Sequence, residues 1–221
     1  MILDSIERQT GSNPRSSIIV LHGLGADGND FVPVSEELDL AAIGPVRYVF
    51  PHAPTRPVTV NNGYVMRAWY DVLGAQLERH EDEAGLRASQ RLVEAVIGRE
   101  KERGIPASRI VIAGFSQGCA MTLMTGLRHD ERLAGLAGLS GYLPLAAAAE
   151  AERHTISREL PIFLAHGRFD PVIPIALGRQ SRDELLRLGH PVEWHEYAMP
   201  HSVCGEEIAD LQHWLLEVLA A

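Results

Sequence analysis

"IVIAGFSQGCAMTLM", residues 110–124, decides how the chain is read. Apolar residues lead into Gly114, Ser116 stands between Gly114 and Gly118, and an apolar run of helical character follows. The pentapeptide Gly114-Phe115-Ser116-Gln117-Gly118 fits G-x-S-x-G, which marks a sharp, strained turn from a strand into a helix. Glycines two residues before and after the serine remove side chains that would collide as the turn tightens. The serine oxygen then stands clear of the backbone at the carboxyl edge of a sheet. The positive end of the helix that begins there favours negative charge developing nearby.

The rest of the chain supplies a sheet for that turn. Short apolar runs recur at 16–23 (SSIIVLHG), 46–51 (VRYVFP), 109–115 (RIVIAGF), 133–140 (LAGLAGLS), 160–167 (LPIFLAHG) and 191–198 (PVEWHEYA). Continuous apolar runs bounded by turns read as buried parallel strands. Helical patterns lie between them. In 82–104, Leu86, Ser89, Val93, Val96 and Ile97 share one face, charged residues fill the other, and Gly104 and Pro106 end the helix. Segments 174–190 and 205–220 behave the same way. Alternating strands and helices predict an α/β fold, a mostly parallel central sheet with helices on both faces. No repeat, linker or low-complexity tract divides the 221 residues, so one domain, 1–221, is expected.

Composition narrows the function. A formal charge of -9 and no cluster of arginine or lysine argue against nucleic acid as a partner. The first residues, MILDSIERQTG, carry Asp4 and Glu7 where a secretory leader needs a basic and then an apolar stretch. No run approaches the roughly 18 apolar residues of a membrane span. A cytoplasmic protein with no stable membrane insertion is expected. Two cysteines, Cys119 and Cys204, make no disulfide framework.

A serine hydroxyl needs a base, and the base needs a third group to hold it. In this architecture the order along the chain is Ser, then an acid, then His, each in a loop at a strand's carboxyl end. Asp170 in HGRFDPVIP follows the run at 160–167, and His201 in AMPHSV follows the run at 191–198. Asp183, Glu184, Glu206, Glu207 and Asp210 fall on helices, Glu193 and Glu196 lie within a strand, and the rival base His195 is mid-strand. An oxyanion would be met by the main-chain N–H of Gln117 and by a second N–H from the glycine-rich loop LHGLGADGND (21–30), assigned to Leu24. That loop lacks the endings and spacings of phosphate-binding glycine loops. His22, His52, His166 and His201 adjoin strand ends, but no metal-ligand spacing is present; His22 and His166 are read as holding loops, and no metal or other cofactor is expected.

Segment 51–80 is irregular, with three prolines and the densest aromatic patch, and reads as a lid or pocket wall. Trp69 and Leu73 in it, with Leu143, Val172 and Ile173, are candidates to line an apolar substrate channel.

Taken together, LHGLGADGNDF, FPHAPTRPVTVNNGYVMRAWYD, EDEAGLRAS, GIPASRIVIAGFSQGCA, LSGYLP, HGRFDPVIP and MPHSV resemble the carboxylesterase/phospholipase family of α/β-hydrolases. That family includes the acyl-protein thioesterases and small bacterial carboxylesterases. The resemblance runs from about residue 15 to the end. It implies Ser116 as nucleophile, Asp170 and His201 as acid and base, Leu24 and Gln117 as oxyanion donors, and no cofactor. It implies a small ester, a lysophospholipid or an acyl thioester as substrate, and it suggests a homodimer. Some positions depart from the commonest pattern: Cys119 stands where glycine is frequent, and Arg168-Phe169 precede the acid. An aspartate nucleophile would have pointed to a dehalogenase and a cysteine to a dienelactone-type hydrolase; position 116 is serine. A non-catalytic binding member of the fold would be expected to have lost one of the three groups.

Overall fold

The computed structural model describes residues 3–74 and 81–220. The six apolar runs become strands β2 (Ser16–Leu21), β3 (Val46–Pro51), β6 (Ile110–Phe115), β7 (Gly135–Leu139), β8 (Ile162–Gly167) and β9 (Val192–Tyr197). They pair in parallel in the order β3-β2-β6-β7-β8-β9. Three strands were not read from the pattern. The first, β1 (Ser5–Gln9), adds antiparallel beside β3 and completes a seven-stranded sheet. The other two, β4 (Thr55–Val58) and β5 (Tyr64–Arg67), form a separate antiparallel hairpin. All three escape an apolar-run reading because they are only four or five residues long and largely unburied.

Alternation along each buried strand feeds two cores. Ile19, Leu21, Ile110 and Ile112 face one side, and there meet helices α2 (Glu83–Glu102) and α3 (Gln117–Arg128). Ile18, Val111 and Ala113 face the other, and there meet Leu211, Trp214 and Leu215 of α6 (Gly205–Ala220). This is the mostly parallel sheet covered on both faces that the sequence predicts. Helix α2 buries Leu86, Ser89, Val93, Val96 and Ile97. Asp82 caps its start by accepting from Gly85 N–H at 2.9 Å, and Gly104 at φ 92° receives the chain at its end. The remaining helices are α1 (Val32–Glu37), α4 (Ala146–Glu152) and α5 (Ile175–Arg187). Among the described residues no helix is long and apolar enough to cross a membrane.

The sheet's outer strands carry charge. On β1, Glu7 pairs with Arg99 of α2 at 3.1 Å and with Arg103, the residue just after that helix, at 2.8 Å. On β9, Glu196 pairs with Arg179 of α5 at 2.7 Å.

The middle of the sheet is the crowded part. Helix α3 is buried from Gln117 to Leu127 and packs directly on β6 and β7. A Cβ on Gly118 would stand 1.9 Å from the Leu21 carbonyl oxygen, and one on Gly114 would stand 2.2 Å from that of Gly118. By contrast, a Cβ on Gly98, on helix α2, would meet nothing within 4 Å. Gly118→Ala is therefore expected to lower unfolding free energy by at least about 1–3 kcal/mol through overpacking. Gly98→Ala is expected to raise it by about 0.5–1 kcal/mol through helix entropy. Urea denaturation of the two variants beside the parent checks both signs.

Candidate active site

Ser116 sits at the carboxyl end of β6 with φ 57° and ψ -117°, outside the regions that L-residues favour. Such a conformation costs about 1–3 kcal/mol and persists only where the surroundings over-determine it. Here they do: Ser116 N–H is held by Leu139 C=O at 2.9 Å, and Ser116 C=O accepts from Ala120 N–H at 3.2 Å as the helix begins. Gln117 is the first residue of α3, so its N–H belongs to the first turn, where amides find no partner inside the helix.

The loop after β2 is built against this turn. A Cβ on Gly23 would lie 3.4 Å from both Phe115 and Ser116 side chains, and one on Gly28 would strike the Phe50 carbonyl oxygen at 2.4 Å. His22 orients the loop. Its Nε2 accepts from Ala53 N–H at 3.0 Å, so its Nδ1 carries the proton and donates to Gly23 C=O at 2.7 Å. Burial holds its pKa below the ordinary histidine value. Trp69 Nε1–H donates to His22 C=O at 2.9 Å, and His52 Nδ1 accepts from Gly28 N–H at 3.0 Å.

The loops after β8 and β9 bring the acid and the imidazole together. Gly167 has no room for a Cβ, which would stand 2.3 Å from Pro200 C=O; Arg168 N–H donates to Tyr197 C=O at 2.8 Å and Phe169 N–H to Met199 C=O at 3.1 Å. Asp170, its side chain fully buried, accepts on Oδ1 from Val172 N–H (2.8 Å) and Ile173 N–H (2.9 Å). Its Oδ2 accepts from His201 Nδ1–H at 2.6 Å. That bond fixes the tautomer and leaves His201 Nε2 as the free basic nitrogen. The His201 ring lies against Phe115, the residue before Ser116, with centroids 4.6 Å apart. His166 supports the acid loop from behind: its Nε2–H donates to Ile173 C=O at 2.9 Å and lies 3.5 Å from Asp170 Oδ2. Each of His22, His52, His166 and His201 is thus engaged by its own protein partner.

A cleft of about 450 Å³ opens over the serine. Leu24, Gln117 and Val172, all expected at the site, line it with Ser116, and Ile173 does too. Three other candidates for the apolar channel lie elsewhere. Trp69 is fully buried because its indole is spent on His22. Leu143 is buried toward α5, its N–H donating to Ser181 Oγ at 2.7 Å. Leu73 points outward and is 45% exposed. The aromatic wall is instead Tyr70 and Tyr142, whose hydroxyls are 3.3 Å apart. Of segment 51–80, residues 75–80 lie outside the described residues.

Sequence reasoning also missed the Gln117 side chain. Its Oε1 accepts from Trp69 N–H at 3.0 Å and its Nε2–H donates to Tyr70 C=O at 2.9 Å, which ties the aromatic wall to the elbow. The aromatic pair at 69–70 was the available signal, but nothing in the sequence marks which of two neighbours turns inward. Cys119 packs where a Cβ on Gly138 or Gly141 would meet its sulfur at 2.7 or 2.6 Å, and burial pushes its thiol up to about 12.

Comparison with known proteins places the chain in a family. The phospholipase/carboxylesterase family matches over residues 5–219, and the chain belongs to it. It is an α/β-hydrolase enzyme of serine esterase type. The chain is 40% identical over 207 residues to the acyl-protein thioesterase 1 of Yarrowia lipolytica, covering 91% of each. The Arabidopsis thaliana SOBER1 structure superposes with a TM-score of 0.87 at 30% identity, over 93% of this chain and 99% of that one. The Zea mays acyl-protein thioesterase 2 structure gives 0.85 at 27% identity, over 98% and 99%.

Burial holds the His166 pKa down as well. On unfolding at mildly acidic pH, that imidazole takes up a proton that the folded chain refuses. Its stabilising contribution is full above the unfolded pKa near 6.5 and is lost as pH falls below it. The stability difference between the parent and His166→Gln should therefore shrink from pH 7.5 to pH 5.5, as read by urea denaturation at each pH.

Proposed function

We propose that the chain is a carboxylic-ester hydrolase that works through an acyl-enzyme on Ser116. The observation that carries the reading is the buried Asp170 carboxylate bonded at 2.6 Å to His201 Nδ1, with Nε2 left free on a ring that packs against the serine elbow. His201 Nε2 takes the Ser116 hydroxyl proton as Oγ attacks the acyl carbonyl carbon. The main-chain N–H groups of Gln117 and Leu24 meet the oxyanion, each worth roughly 2.7–4 kcal/mol of barrier. The intermediate collapses, the acyl–oxygen or acyl–sulfur bond breaks, and His201 returns the proton to the leaving group. Water, deprotonated by the same nitrogen, then attacks the acyl-enzyme and frees the acid and Ser116. Asp170 holds the imidazole in this tautomer and stabilises its cation.

A thioester reading stands beside it, in which the substrate is an acylated protein. It is supported by the name of the Yarrowia lipolytica relative, by the openness of a cleft lined mainly by apolar side chains, and by a mechanism that needs no change for a thiol leaving group. Lysophospholipids would be cleaved by the same steps.

The test is kcat/KM for p-nitrophenyl esters from acetate to palmitate and for acyl thioesters of matched length. Ester turnover should vanish in Ser116→Ala and fall by about 10⁴-fold in Asp170→Asn, whose amide favours the wrong imidazole tautomer. Thioester turnover that exceeds ester turnover at equal chain length would select the second reading. No turnover of any substrate by the parent, with no labelling by a fluorophosphonate, would overturn both in favour of a binding protein.

A further inference from the structure

One wall of the cleft is made from two short stretches of chain that meet at its mouth. Residues 59–61 form a single 3₁₀ turn, and residues 70–72 lead out of the aromatic segment. Val60 and Asn61 from the first, and Tyr70 and Val72 from the second, all line the cleft. Neither stretch belongs to the central sheet, so something else must fix their separation. Val60 N–H donates to Val72 C=O at 2.9 Å. Next to that bond, the Asp71 carboxylate grips Thr59 at two points, accepting from Thr59 N–H on Oδ1 at 2.7 Å and from Thr59 Oγ on Oδ2 at 2.5 Å.

Asp71 is itself anchored. Its N–H donates to Asp82 Oδ2 at 2.9 Å, and Asp82 Oδ1 caps α2 through Gly85. The line of bonds therefore runs from the start of a twenty-residue helix, through Asp82 and Asp71, to the turn that carries Val60 and Asn61. Gly85 permits the approach, because a Cβ there would stand 1.9 Å from Asp82 Oδ2. On its other side the turn closes the β4–β5 hairpin, where Gly63 N–H donates to Val58 C=O at 2.9 Å and Asn61 Nδ2–H reaches Met66 Sδ at 3.4 Å; these bonds hold the hairpin together and do not reach residues 70–72.

The structure assigns to Asp71 the role of positioning residue for acyl-chain recognition, which rests on the hydrolase reading above. Asp71 touches no reacting group. It sets the spacing of the Val60–Val72 wall, and so the contact made by the part of an acyl chain that extends beyond the carbonyl. A two-carbon acyl group ends close to the serine, whereas an eight-carbon group extends further into the cleft that Val60 and Val72 help to line.

Steady-state kinetics with p-nitrophenyl acetate and p-nitrophenyl octanoate test this. Asp71→Ala should raise KM for octanoate by about tenfold, the loss of two charge-assisted hydrogen bonds being felt through the wall, with kcat/KM for acetate held within about twofold. Asp71→Asn, which keeps an acceptor for Thr59 N–H, should recover most of the octanoate KM. Thr59→Val, at an exposed position that removes one bond alone, should give a smaller octanoate-selective rise and serves in place of Asp71→Ala if that variant does not fold. Equal losses on both esters, or no change on either, would overturn the assignment. Absence of turnover by the parent on both esters would instead overturn the hydrolase reading, and the two failures are therefore distinct.

Discussion

The passage of helix α3 across the end of strand β2, with no side chain between them, is the constraint from which the site is built. The Cβ that Gly118 lacks would fall 1.9 Å from the Leu21 carbonyl oxygen, and the one Gly114 lacks would fall inside the first turn of the helix. These contacts force the chain to reverse within one residue, and that residue is Ser116 at φ 57°. Strain at the serine, its place on the floor of the cleft and the first-turn position of the Gln117 amide are therefore one geometric fact. The buried length of α3 holds it in place, since tilting the helix to relax Ser116 would open the core on β6 and β7.

Around this fixed point the loops that carry Leu24, Asp170 and Ile173 are held by polar groups kept neutral. His22 ties the loop after β2 to Gly23 and Ala53, and His166 ties the acid loop to Ile173. Burial depresses both pKa values, so each ring keeps one donor and one acceptor at neutral pH. A protonated ring would offer two donors, and at His22 that would set a positive N–H against the Ala53 N–H it now receives. His201 differs in its partner: its Nδ1–H donates to the Asp170 carboxylate at 2.6 Å, whereas the closest partners of His22 and His166 are main-chain groups.

Much of this was legible in the sequence. The six buried strands were visible because parallel strands covered on both faces are apolar throughout, and the elbow because few residue patterns tolerate so tight a turn. Asp170 and His201 followed from chain order and loop position. The hairpin β4–β5 and the strand β1 were not legible, because strands this short and this little buried make no continuous apolar run; the Asn62-Gly63 pair was the one local signal for the hairpin turn. The cleft lining failed for another reason. Whether Trp69 or Tyr70 turns inward depends on Gln117, 47 residues away along the chain, whose side chain fixes both backbones. Composition marks an aromatic segment; only tertiary contact tells its faces apart.

The charged outer strands bear on how two copies of this chain could meet. A sheet can grow by lending the unpaired backbone groups of its edge strand to another chain. On β1, Glu7 is already committed to two arginines at the end of α2, and on β9 Glu196 is committed to Arg179, with Glu193 and His195 on the same strand. A second strand laid along β1 would crowd Glu7 and compete with the ion pairs that hold this edge to the chain's helical layer. Ion-paired charge on both edge strands is the kind of feature that disfavours assembly by continuation of the sheet.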